Sequence, residues 1–261
     1  WLYAKINEHG AERVLAFVIE PVGGLSTGCV VPPQRYFRRI REICTRHDVH
    51  LVFDEILCGM GRTGRFLAAH HWPDALPDII TMAKGMASGY SPLGAVLAPA
   101  ALVDELADLS GFEFQYSYNA NPISCAAGMA VLDLYQRLDL VNRSEIAGER
   151  LRHGLEEMQG QLPIIGDIRG LGLLLAVELV ADRTNKAPLP NHIQPTDLVR
   201  IHGLNNGLII YSRPASGGRY GHWFMVSPPL TITDEEIDEL LGRLRSTLHD
   251  LSLELAGAKS P

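Results

Sequence analysis

Val49-His50-Leu51-Val52-Phe53-Asp54-Glu55 is an unbroken apolar run that stops on two carboxylates. Continuous rather than alternating apolar residues need cover on both faces, the environment of a parallel strand in an α/β sheet. The same texture recurs on either side. Residues 14–19 run apolar into Glu20-Pro21, residues 79–82 run into Ala83-Lys84-Gly85, and residues 93–97 form another such run. Between the first two, Pro32-Pro33 opens a helical pattern in which Tyr36, Ile40 and Ile43 recur to about residue 47. A mainly parallel sheet covered by helices is the expectation.

Downstream, Asn121-Pro122 starts a long Ala/Leu-rich helix to about residue 138, and a second helix covers residues 143–158. After Leu162-Pro163 the texture changes. Residues 164–169 and 173–180 read as two strands joined by Gly170-Leu171-Gly172. A Pro/Asn-rich loop follows, then a helix over residues 196–205 stopped by Asn206-Gly207. Short strands at residues 208–211 and 223–226 flank a Gly/Arg loop. The last helix begins at Thr233, whose hydroxyl caps it while Glu236, three residues on, completes a capping box. Residues 1–135 read as a large α/β domain and residues 136–261 as a smaller α+β domain, with the long helices as the hinge.

Composition excludes several classes. The 261 residues are 46% hydrophobic and 20% charged, with a net charge of −7, which is a globular balance and the wrong sign for neutralising a nucleic-acid backbone. No apolar stretch reaches the roughly 18 residues of a membrane span. Cys29, Cys44, Cys58 and Cys125 are scattered without a CxxC pair, which reads as free thiols in a reducing cytoplasm. The chain opens on Trp1-Leu2-Tyr3 and enters its first strong element almost at once, so it reads as part of something longer.

The chemistry converges on Lys84. The chain has four lysines, and Lys5, Lys186 and Lys259 lie near an end or in a polar, Pro-rich stretch. An ammonium that follows a buried strand is costly to desolvate, and its neutral form is a nucleophile. Thirty residues earlier, Asp54 ends the neighbouring apolar run. A carboxylate at the C-terminal end of a parallel strand lies where open α/β sheets bind ligands. Alone, Asp54-Glu55 reads as a cap or a solvated strand end. Together with Lys84 it points to a pyridoxal phosphate (PLP) site, where the carboxylate keeps the pyridine nitrogen protonated.

Two other motifs read more plainly. Gly59-Met60-Gly61-Arg62-Thr63-Gly64 spells GxGxxG, but Asp54-Glu55 intervenes after the strand and no apolar helical stripe follows. A loop near the cofactor cleft fits better than a dinucleotide fingerprint. His70-His71 on an extended segment would face opposite ways, which fits a structural role better than a metal site.

These segments resemble the class III aminotransferases, PLP-dependent enzymes of fold type I. The likeness rests on Phe17-Val18-Ile19-Glu20-Pro21-Val22, on Leu51 to Ile56 with the Gly61-Arg62-Thr63-Gly64 tail, and on Pro77 to Gly85. It also rests on Asp167-Ile168-Arg169-Gly170-Leu171-Gly172 with Ser227-Pro228-Pro229-Leu230. The resemblance implies a fold type I large domain, incomplete here, plus a small C-terminal domain. It implies that Lys84 holds the cofactor as a Schiff base and then shuttles the substrate proton, and that Asp54 pairs with the pyridinium nitrogen. Ser117 falls where relatives have a threonine that binds the phosphate of the neighbouring subunit's cofactor, so a homodimer with shared sites is implied. Glu20 matches a gateway carboxylate. Arg219, or else Arg213, would bind a substrate carboxylate. The partners implied are an amino donor and a keto-acid acceptor in a ping-pong transfer, with neither nucleic acid nor membrane.

The chain departs from the family at Leu57, where many relatives have a glutamine reaching toward the cofactor. It also lacks the segment that in relatives precedes the Glu-Pro turn and carries a Gly/Ser phosphate loop and an aromatic that stacks on the ring. Three rival readings stay open: a PLP-dependent decarboxylase or racemase on the same scaffold, a nicotinamide-dependent oxidoreductase, and a non-catalytic remnant.

Overall fold

The computed structural model describes residues 1–113, 116–212 and 221–257. By contact density the chain divides into two compact units. One holds Trp1–Pro21, Pro32–Gly61 and Arg65–Leu140; the other holds Val22–Val31, Arg62–Gly64 and Val141–Pro261. The second unit therefore includes two short segments, after the Glu-Pro turn and within the GxGxxG stretch, that sequence distance alone would give to the first.

The first unit is built on four strands, β1 (Ala16–Ile19), β2 (His50–Asp54), β3 (Ile79–Met82) and β4 (Ala95–Leu97), in the order β1-β2-β3-β4. β1, β2 and β3 run parallel, while β4 is antiparallel to β3. The apolar runs end within two residues of the expected positions. The direction of β4 is not written in its composition.

Helix α1 (Leu2–His9) precedes the sheet and α2 (Gln34–Arg46) packs on β2. Pro33 precedes α2 with extended backbone, and α2 buries Phe37, Ile40, Ile43 and Cys44. Of the expected stripe Ile40 and Ile43 are buried, while Tyr36 is 38% exposed and the adjacent Phe37 turns inward in its place. The Phe37 ring lies 4.9 Å from Phe53 and 4.7 Å from Trp72, and these buried aromatics form the centre of the unit's core. Helices α3 (Ala100–Ser110) and α4 (Pro122–Arg137) follow the sheet. Asn121 caps α4: its side-chain oxygen accepts the N–H groups of Ile123 and Ser124 at 3.1 and 3.2 Å, and Pro122 takes the first helical position.

Among the described residues the sheet is not covered on both faces. Val18 is 60% exposed and Val96 57% exposed, and α3 buries no residue. Two-sided burial, expected from the unbroken apolar strands, is met at β2 but not at β1 or β4.

The second unit carries an antiparallel sheet of β5 (Ile165–Leu171), β6 (Leu174–Asp182), β9 (His222–Val226) and β8 (Tyr211–Ser212), with β7 (Ala187–Pro188) paired to β6. Helices α5 (Leu140–Gln161) and α7 (Asp234–Gly257) contribute Leu151, Leu155, Met158, Ile237, Leu244, Leu248 and Leu251 to its core, and α6 (Pro195–Asn205) packs against α7. The capping box forms as expected. Glu236 accepts the Thr233 N–H at 2.8 Å, and the Thr233 hydroxyl accepts the Glu236 N–H at 3.2 Å.

Candidate active site

The C-terminal ends of three adjacent parallel strands gather the principal candidates. Ile19 pairs with Phe53 and Asp54 pairs with Thr81. Glu20 thus follows β1, Asp54 closes β2, and Lys84 stands two residues beyond Met82 at the end of β3. Neighbouring strands lie about 4.8 Å apart, so a carboxylate and an amine share one edge of the sheet. Asp54 is half-buried and accepts the Ile56 N–H at 3.0 Å.

Lys84 occupies a special turn. Its φ is 46°, in the left-handed region, and it opens a short 3-10 helix, Lys84–Met86. A non-glycine residue in that region costs about 1 kcal/mol or more, and such strain concentrates at functional sites. Among the described residues no hydrogen bond or ion pair engages the Lys84 ammonium, and the side chain is exposed. The expectation of a lysine desolvated by its own strand is therefore corrected. The strand delivers Lys84 to the sheet edge, but none of the described residues buries it.

The two carboxylates of the Asp-Glu pair have opposite fates. Glu55 is 1% exposed and accepts the N–H groups of Ala68 and Ala69 at 2.6 and 2.8 Å. Burial pushes its carboxyl pKa up, against those two backbone donors. It fixes the 3-10 helix Ala68–His71 beside the strand end, a structural role that the sequence did not distinguish from that of Asp54.

Around the lysine turn, Gly85 leaves no room for a side chain: a Cβ there would lie 2.9 Å from the Met60 Cβ. The buried Tyr135 on α4 donates its hydroxyl hydrogen to the Met60 carbonyl at 2.7 Å. Ser91 and Ser124 share a hydrogen bond at 2.8 Å, tying the chain after the lysine turn to the start of α4. Tyr135 and Ser124 lie outside every motif the sequence displayed, and their positions on α4 carry no chemical signature of their own.

Ser117 lies exposed in the turn over residues 117–120, just before α4. No hydrogen bond among the described residues joins it to the strand-end cluster. Arg213 and Arg219 lie outside the described residues. After Gly59 the chain makes turns, not a helix, and the next helical element is the 3-10 turn at Ala68, so the dinucleotide geometry is unmet. His71 uses its carbonyl to accept the Gln34 side-chain amide at 2.7 Å. No group of three or more His, Cys, Asp or Glu that could hold a metal occurs among the described residues.

In the second unit, three of the quoted segments meet. Arg62 donates to the carbonyls of Pro228 and Leu173, and its own carbonyl accepts the Leu173 N–H at 3.0 Å. Gly172, at φ 53°, lies so close that a Cβ would fall 2.6 Å from the Thr63 carbonyl carbon. Arg169 pairs with Glu178 and Asp167, donates to the Gly28 carbonyl at 2.6 Å and lies 5.5 Å over the Trp223 ring. Trp223 donates to the Leu25 carbonyl at 2.6 Å. These motif residues are structural braces.

Comparison with known proteins identifies the family and the fold. Residues 3–248 match the family profile "Aminotransferase class-III". An uncharacterized aminotransferase of Bacillus subtilis, YodT, is 36% identical over 249 residues, covering 95% of this chain and 56% of its own length. A putrescine–pyruvate aminotransferase of Pseudomonas aeruginosa is 32% identical over 248 residues, covering 95% and 52%. A transaminase from the marine bacterium Virgibacillus superposes with a TM-score of 0.92 at 31% identity, over 97% of this chain and 57% of that one. An amine transaminase from an uncultivated Pseudomonas species, in its PLP-bound form, superposes with a TM-score of 0.86 at 33% identity over 96% and 55%. The chain thus spans about half the length of the curated relatives it matches. The α/β fold read from the apolar strands is that of these transaminases, and the chain belongs to the class III aminotransferase family.

Proposed function

We propose that this chain carries the lysine-bearing part of a PLP-dependent aminotransferase site. The observation that supports this best is the placement of Asp54 and Lys84 at the ends of two hydrogen-bonded parallel strands. The residues fit the cofactor: an exposed primary amine on a fixed turn for its carbonyl carbon, and a carboxylate on the neighbouring strand for its ring nitrogen. When bound, PLP supplies a carbonyl that condenses with amines and a ring that accepts the electrons released at the substrate Cα.

Lys84 would hold the cofactor through its amine. With the cofactor and a substrate in place, the Lys84 amine would be the group that moves a proton at the substrate Cα. Asp54, on the neighbouring strand, would hold the ring nitrogen. Ser117 offers one O–H donor to the phosphate of the partner subunit's cofactor, in a homodimer with shared sites. Glu20 stands at the first strand end as a gateway carboxylate. Arg219 supplies the guanidinium for a substrate carboxylate. The amino group passes from an amine or amino acid to a keto acid. None of the four cysteines forms a disulfide, which suits a reducing cytoplasm. No helix of the described residues is long and apolar enough to cross a membrane.

The deciding experiment uses the full protein. Lys84→Ala should abolish turnover and leave no cofactor attached after borohydride reduction. A single turnover with an amino donor should leave pyridoxamine phosphate, which separates transamination from decarboxylation or racemisation. Retention of activity in Lys84→Ala sinks the reading.

A further inference from the structure

We propose that Tyr135 is a positioning residue for Lys84, acting through the Met60 carbonyl and Gly85. The proposal rests on the reading that Lys84 holds the cofactor. Five observations within the first unit carry it.

Met60 and Lys84 are both non-glycine residues in the left-handed region, with φ of 52° and 46°. Each conformation carries strain that its surroundings must offset. The buried Tyr135 hydroxyl meets the Met60 carbonyl at 2.7 Å, so this hydrogen bond holds the Met60 peptide in its left-handed orientation. Met60, itself 4% exposed, then stands so close to Gly85 that a Cβ at residue 85 would lie 2.9 Å from the Met60 Cβ and 3.6 Å from the Tyr135 hydroxyl.

The turn is braced from the same helix at a second point. A Cβ on Gly128 of α4 would meet the Leu93 side chain at 2.6 Å and the Met86 carbonyl at 3.6 Å. The Tyr135 ring is set edge-on against Phe66 at 6.3 Å, and the Phe66 carbonyl accepts the Gly61 N–H at 3.2 Å. One tyrosine therefore meets both limbs of the glycine loop, and its hydroxyl borders the space that a side chain on the residue after the lysine would need. Lys84 itself has no side-chain partner among the described residues. The amine is therefore aimed from a backbone turn that packs closely, at Gly85, against Met60.

Tyr135→Phe keeps the ring on Phe66 and deletes only the hydroxyl. A loosened turn misplaces the amine. Misplacement by an ångström is worth up to about a hundredfold in rate, so a partial loosening should lower kcat by about tenfold and leave the amino-donor KM nearly unchanged. The second readout is the pH titration of the bound cofactor's visible absorbance, which reports the surroundings of the lysine nitrogen. Its midpoint should move in Tyr135→Phe. Val131→Ala, a cavity variant on the same helix, should lower Tm without moving the midpoint.

The measurements use the full protein loaded with PLP. Borohydride reduction and peptide mapping first assign the label. A label on any residue other than Lys84 overturns both the site reading and this inference. A label on Lys84 with unchanged midpoint and kcat in Tyr135→Phe overturns the inference alone. Equal shifts in Tyr135→Phe and Val131→Ala also overturn it, because the effect would then follow stability and not the hydroxyl.

Discussion

His222 illustrates how a single side chain can carry a pH dependence without belonging to the candidate site. It is 3% exposed on β9, and one ring nitrogen lies 3.1 Å from the Leu189 carbonyl while Nδ1 is buried with no hydrogen-bond partner among the described residues. Burial pushes its pKa down, opposed by the Leu189 carbonyl and by the charge of Glu178 on the paired strand. The unfolded chain titrates this group near 6.5. Between that value and the depressed folded one, the unfolded state binds more protons, so stability falls as pH drops through the window. His222→Gln cannot titrate and keeps a donor for Leu189. Its Tm should lose that part of the acid slope, and an identical slope in both proteins would refute the assignment. Asp54 and Glu55 make the complementary point about legibility. Both were visible as a strand-end pair, yet composition could not divide them. Glu55 turned inward because two N–H donors at Ala68 and Ala69 wait there, and those donors are set by tertiary folding 13 and 14 residues away.

At the scale of elements, the strands and capped helices were legible because each has a local cause. β2 is an unbroken apolar run, α4 begins at Asn121-Pro122, and α7 begins at a capping box. α1 and α3 were not legible for the opposite reason. α1 buries only Leu2 and Ile6, and α3 buries nothing, so neither displays a stripe. The brace between residues 62–64 and Gly172 was legible only as motifs, since the contact joins positions over a hundred residues apart. It supports a graded prediction. Gly172→Ala places a Cβ 2.6 Å from backbone at a left-handed φ and should cost roughly 2–4 kcal/mol. Thr233→Ala removes one exposed cap and should cost about 1 kcal/mol. Chemical denaturation of both variants checks the ranking, and a Gly172→Ala no less stable than Thr233→Ala contradicts the brace.

For the whole molecule, surface and site point the same way. Lys84 is exposed, and in the same unit Leu109 is 78% and Ile123 75% exposed, with Val18, Val96, Leu106 and Met129 also uncovered. Isolated apolar side chains on a surface are ordinary, but this many on one unit exceed what a monomeric surface usually leaves to water. At about 25 cal/mol per Å² of apolar area, covering even a few such side chains is worth several kcal/mol. The 261 residues alone should therefore bind a fluorescent apolar dye strongly and associate as concentration rises. An amine open to water on a sheet edge, with no wall around it, should also hold PLP weakly. The isolated chain should then show little visible cofactor absorbance and no measurable amino transfer. Dye fluorescence, sedimentation and absorbance on one preparation test this together. A yellow, active preparation that ignores the dye would mean that the chain closes this surface and buries its lysine by itself.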